Sequence, residues 1–145
     1  MSDPQTATAA ARHLTSLTRT LTDRLEVETR AFVERRPQDI VAGLGETQEL
    51  ANQYRRESAQ VKANPAILSA APASERMALV KVTEQFNAVL AKHARAVEAA
   101  RVISEGLVQT IAGEVAAARA MGTGYGATGR APAGDGRAIT LNRSA

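Results

Sequence analysis

The run MGTGYGATG, residues 121–129, holds a G-x-G-x-x-G spacing at 124–129. That spacing is the fingerprint of a dinucleotide-binding loop, in which a strand precedes the glycines and the N-terminus of a following helix holds the pyrophosphate. Here the order is reversed, since a long helical pattern precedes the glycines and a segment of small residues follows. No βαβ pattern occurs, and no G-K-[ST] completes a phosphate loop. The glycines therefore read as a hinge and a leash. His13 and His93 are the two histidines, without an H-x-x-x-H or a carboxylate at ligand spacing, so they do not predict a metal site. Cysteine is absent, which excludes disulfides, thiolate metal sites and a cysteine nucleophile together. Glu26, Glu28, Glu46, Glu49 and Glu98 are spread among arginines and read as solvated faces or i,i+4 pairs. Glu28 differs because it interrupts an apolar stripe, where it sets register or faces a partner. Without an acid/base cluster, these residues predict a non-enzyme that uses no cofactor.

The elements that carry these residues are helical. In the 145-residue chain 44% of residues are hydrophobic but only 3% aromatic, which favours thin helix-on-helix packing by Leu, Val, Ile and Ala. The formal net charge of +3 is a small excess over mixed acids and bases, not a nucleic-acid-binding stripe. No secretory signal or membrane-length apolar run is visible; a reducing cytoplasm is the simplest compartment. Ala10, Leu14, Leu17, Leu21, Leu25 and Phe32 recur at helical spacing and predict a first helix over about 6–36. Pro37 ends or kinks it. Ile40, Leu44, Thr47, Ala51, Tyr54, Ser58 and Val61 follow at alternating steps of four and three, a coiled-coil seam that predicts a second helix over about 38–63. Gly43 and Gly45 weaken its first turns.

Asn64-Pro65 opens the loop NPAILSAAP, and Ser74 is the expected N-cap of a third helix over about 74–121. Its apolar positions are Leu79, Val82, Phe86, Val89, Val97, Ala100, Leu107, Ile111 and Val115, with Gly122 as the expected left-handed residue beyond its end. At 1.5 Å per residue the third helix is roughly 70 Å long and the second about 40 Å. Packed antiparallel, the third outruns the second from about Ile103 to Val115. Either the first helix covers that face or an external partner does. The expected fold is thus an all-α antiparallel bundle of three long helices in residues 1–121, with coiled-coil character. Residues 122–145 form a flexible tail: six of the ten glycines lie there, and Tyr125, Ile139 and Leu141 are its only large apolar residues. Tyr125 anchors in a partner's pocket or folds back on the last helical turn.

LTSLTRTLTDRLEVETRAF, RRPQDIVAGLGETQELANQY, SERMALVKVTEQFNAVLAKHARAVEAARVISEGLVQTIAGEV and TGYGATG, in that order, resemble a FlgN-type flagellar export chaperone of the alphaproteobacterial branch. The likeness spans residues 12–129. It implies a non-catalytic helical bundle that binds hook-associated proteins in the cytoplasm, prevents their premature assembly and delivers them to the type III export gate. Membrane contact is then peripheral, through the gate alone. It also implies a substrate surface on Ile103, Leu107, Val108, Ile111 and Val115, and gate docking through Tyr125. The free protein is a monomer or a homodimer. A second reading, from amphipathic Ala-rich helices alone, is a phasin-like coat on an apolar surface.

Overall fold

The computed structural model describes residues 3–125, and every element among them is helical. The chain divides into two units, Met1–Glu98 and Ala99–Ala145. α1 runs over Pro4–Val33, a 3-10 segment over Pro37–Gly43, α2 over Leu44–Ala63, the short α3 over Ala66–Ser69, and α4 over Ala73–Tyr125.

α1 starts where sequence chemistry favours it. Asp3 is the N-cap and accepts a hydrogen bond from the Thr6 N–H, while Pro4 fills the first helical position. Its end comes three residues earlier than expected, before Pro37 can act. The Arg36 N–H donates to the Ala31 carbonyl at 2.7 Å and the Arg35 N–H to the Phe32 carbonyl at 3.1 Å. Arg35 sits at φ 60°. This is a Schellman stop with arginine in the seat that glycine usually takes. Pro37 then starts the 3-10 segment, and the chain reverses instead of kinking.

The direction of each helix in the first unit follows from cross-helix contacts. His13 and Arg24 of α1 meet Glu57 and Glu46 of α2, respectively, so these helices are antiparallel. Arg12 meets Glu75, Leu21 and Leu25 pack with Phe86 and Val89, and Glu28 lies beside His93, so α1 and the start of α4 run parallel. The result is an up-down-up bundle, as the sequence predicts. Leu50, Ala51 and Tyr54 of α2 close its main core, with the Tyr54 and Phe86 rings 4.8 Å apart between centroids. A second core is made of alanines. Ala7 and Ala11 are fully buried against Ala71, with Leu68 and Ala70 packed around them.

The buried face of α1 is wider than its leucine stripe. Thr15, Thr18 and Thr22 are buried beside it. Thr18 and Thr22 donate their hydroxyls to the carbonyls of Leu14 and Thr18, each at 2.7 Å, which lets a polar side chain enter the core.

Three sequence expectations are corrected locally. The first part of the expected second helix is 3-10 up to Gly43, where two nearby glycines make a regular α-turn less favourable. Ser74 is not the N-cap of α4. The Pro72 carbonyl accepts from the N–H groups of Glu75 and Arg76, placing Ser74 inside the first turn. Gly122 is not a left-handed stop, because α4 continues through it to Tyr125. The rest of GYGATG and of the proposed tail, residues 126–145, lies outside the described residues.

Candidate functional site

Residues 99–121 read AARVISEGLVQTIAGEVAAARAM, and the helix formers Ala, Leu, Arg and Glu outweigh Gly106 and Gly113 there. The Thr110 hydroxyl satisfies itself by donating to the Gly106 carbonyl at 3.0 Å. Arg101 and Glu105 pair one turn apart at 2.6 Å. The large side chains of this part of α4 are exposed. Ile103 is 51% exposed, Leu107 59%, Val108 65%, Ile111 50% and Val115 45%. Val102 and Met121, which the sequence reading passed over, are exposed as well, at 56% and 68%.

Ile103, Leu107, Ile111 and Val115 follow one another at i,i+4 steps and form one ridge. Each step of four turns the helix by about 40°, so the ridge covers a band about 120° wide and roughly 18 Å long. Val108 lies on its edge. The five residues expected to form a substrate surface are thus brought onto one continuous, uncovered apolar band. A band of this width is what a helix in a globular protein normally buries. Its chemistry is that of a helix-binding surface: large branched side chains at one-turn intervals, with Glu114 as a charge inside the same sector. Glycines flank it. A Cβ added at Gly106 or Gly113 would meet no atom within 4 Å, so neither is needed for contacts in this unit. Tyr125, the expected docking residue, is the last residue of α4.

The residues that first suggested chemistry have structural roles in the other unit. His93 is a seam residue packed edge-on against Phe32, with ring centroids 6.2 Å apart. Its Nε2 lies 3.4 Å from Oε1 of Glu28, whose residue is buried to 7% exposure. Glu28 is thus buried beside His93 where α1 and α4 meet. His13 Nε2 lies 2.9 Å from Glu57 and is largely exposed. Arg24 reaches across to the Thr47 hydroxyl, the Gly43 carbonyl and Glu46 at 3.1, 3.2 and 2.9 Å. Glu46 is a solvated acid, as the sequence reading has it, and also ends a bond from Arg24 across the two helices. Among the described residues no three His, Asp or Glu side chains are grouped to hold a metal ion. No helix there is long and apolar enough to cross a membrane.

An uncovered band on an all-helical chain has one further observation beside it. The chain is 46% identical over 132 residues to the flagellar basal-body protein FlbY of Caulobacter vibrioides, a match that covers 89% of each chain. It belongs to the FlbY family. The aligned length is great enough to take in most of the described helices, and identity at this level carries the fold with it. No protein-family model matches the chain, and no solved structure does. The expected kinship with flagellar proteins is thus supported at the level of FlbY; the narrower FlgN-type assignment is not part of that match.

Proposed function

We propose that this protein serves flagellar assembly as a non-catalytic export chaperone in the cytoplasm. The observation that carries the reading is the uncovered band Ile103, Leu107, Val108, Ile111 and Val115 on α4. Its likeness to a basal-body protein supplies the flagellar setting. The cargo is a hook-associated protein whose amphipathic terminal helix lies along the band, with i,i+4 anchors replacing contacts that the subunit makes once assembled. Covering that helix prevents premature assembly, and Tyr125 docks the loaded complex at the type III export gate.

Light scattering after size-exclusion chromatography tests the reading, with the chain mixed with hook-associated proteins of the same organism. A complex of fixed stoichiometry is expected. Leu107→Asp with Ile111→Asp abolishes it while helicity stays at the wild-type level; loss of helicity in that variant would mean that the band is core. Tyr125→Ala leaves cargo affinity unchanged and lowers secretion of the cargo. Failure of wild-type protein to bind any of these subunits would remove the chaperone reading and bring forward a surface coat.

A further inference from the structure

α2 is the least covered long helix of the first unit. Its seam positions Ala51, Tyr54, Ser58 and Val61 are only half-buried, and Thr47 is its one buried residue. An open cleft beside it is the reason. Tyr54, Ser58 and Val61 of α2 line a 230 Å³ cavity together with Leu79 and Thr83 of α4 and with Leu14 and Thr18 of α1. Further along the same two helices Leu44, Leu90 and Val97 are exposed at 42%, 43% and 37%. Two helices on a third with a groove between them form a four-helix bundle short of one member. The cavity is smaller than the roughly 300 Å³ at which small-molecule pockets begin. It suits the side chains of a helix laid along the groove.

Charge decides what kind of helix fits. α1 lies on the Glu57 side of α2, where His13 meets that acid at 2.9 Å. It lies on the Glu75 side of α4, where Arg12 meets that acid at 2.7 Å. The groove opens on the other flank of α2, which carries Arg55 and Lys62, three residues before and four after Ser58. Its edge on α4 carries Arg76, three residues before Leu79. All three cations are exposed. None is paired with a carboxylate among the described residues, and Arg55 donates to the side chain of Asn52. Glu84 stands about 180° from Glu75, on the outer face of α4. The groove is thus apolar and hydroxyl-bearing inside, with a basic rim.

From this arrangement we propose that the groove between α2 and α4 docks an acidic amphipathic helix of a partner protein. The apolar face of that helix lies on Tyr54, Val61, Leu79 and Leu90, and its carboxylates reach Arg55, Lys62 and Arg76. The mode is helix-in-groove recognition, with rim charges that select the sign of the partner. The proposal stands on the first unit and does not rest on the cargo reading, which uses residues 103–115.

Two designed peptides test it, each about 18 residues long with Leu at i, i+3, i+4 and i+7 steps. One carries Glu on the flanks of the apolar face, and the other carries Lys at the same places. Each is titrated into the full chain and followed by amide chemical shifts. The Glu peptide should move Ser58, Val61, Leu79 and Thr83 and bind about tenfold more tightly than the Lys peptide. Arg55→Glu with Lys62→Glu, both at exposed positions, should reverse that preference with helicity unchanged. Equal binding of the two peptides, or a preference that survives the double substitution, overturns the acidic partner. No shift at the cleft residues, or shifts confined to 103–115, overturns the docking site. Shifts at the cleft that grow with protein concentration alone make a second copy the occupant and overturn the proposal as well. No hook-associated protein enters this titration, so the chaperone reading can fail where the groove binds, and the reverse.

Discussion

α4 before and after Glu98 is built from similar residues and used in opposite ways. In the first stretch Val82, Phe86 and Val89 are buried at 6–8% exposure against α1 and α2. In the second, Ile103, Leu107 and Ile111 are at least half exposed. Spacing distinguishes the two stretches better than composition does. Val82, Phe86, Val89 and His93 alternate steps of four and three, the period of a seam that twists around its neighbours. From Ile103 to Val115 the steps are all four, and the apolar row leaves that seam. A helix face that changes period is addressed to a different kind of neighbour. The difference teaches that exposure here does not come from a shortage of apolar side chains.

The largest test of that contrast compares truncations in the two stretches. Phe86→Ala should cost about 3–5 kcal/mol, because it empties the ring contact with Tyr54 and leaves a cavity in the main core. Leu107→Ala should change stability by no more than about 0.5 kcal/mol, as expected of an exposed site. Urea denaturation of both variants measures the gap; similar costs would mean that the second stretch is buried in solution.

Arg24→Ala comes next. It removes the clamp from α1 to Thr47, Gly43 and Glu46, and a loss of about 1–2 kcal/mol is expected, lower than for a fully buried charge because the arginine is part-exposed. The loss should show as a lower melting temperature than that of the wild-type chain; an unchanged one would mean that these part-exposed bonds add nothing to the bundle.

Arg35→Gly works in the other direction. Glycine occupies a left-handed backbone without the steric cost of a Cβ, so this substitution should raise stability by about 1 kcal/mol, read as a higher denaturant midpoint. The smallest effect is expected of Ser58→Val. Ser58 lines a 230 Å³ cavity with Leu14, Thr18, Tyr54, Val61, Leu79 and Thr83. Valine puts two methyl groups where serine has one hydroxyl, and the gain should be about 0.5 kcal/mol. A decrease at this site would show that the cavity holds water bound to the surrounding hydroxyls and that filling it displaces a partner.

Much of the bundle was legible because it rests on local rules. Leu14, Leu17, Leu21 and Leu25 mark the inward face of α1 by spacing alone, and Asn64-Pro65 marks the end of α2. The burial of Thr18 and Thr22 was not legible. A threonine that bonds the carbonyl one turn back loses its polar demand, and no composition or period records that it has done so. The stop of α1 was misplaced for a related reason: Arg35 carries no sign that it will take a glycine's conformation, whereas Pro37 advertises a break. In the candidate site the five apolar residues were implied by the family resemblance; four of them also stand at i,i+4 steps along one ridge, and Val108 does not. Val102 and Met121 were missed, since neither falls on that ridge.

Sequence by itself determined the helices, their approximate ends and the apolar band of the last one. Each of these depends on residues within a few turns of one another, and period, prolines and side-chain size act over that range. Tertiary structure alone decided the reversal after α1, the clamps Arg24–Glu46 and Arg12–Glu75, and the pairing of Glu28 with His93. It also decided which apolar faces are covered. These depend on residues tens of positions apart, and a contact between them exists only once the chain has folded and brought the two side chains within reach.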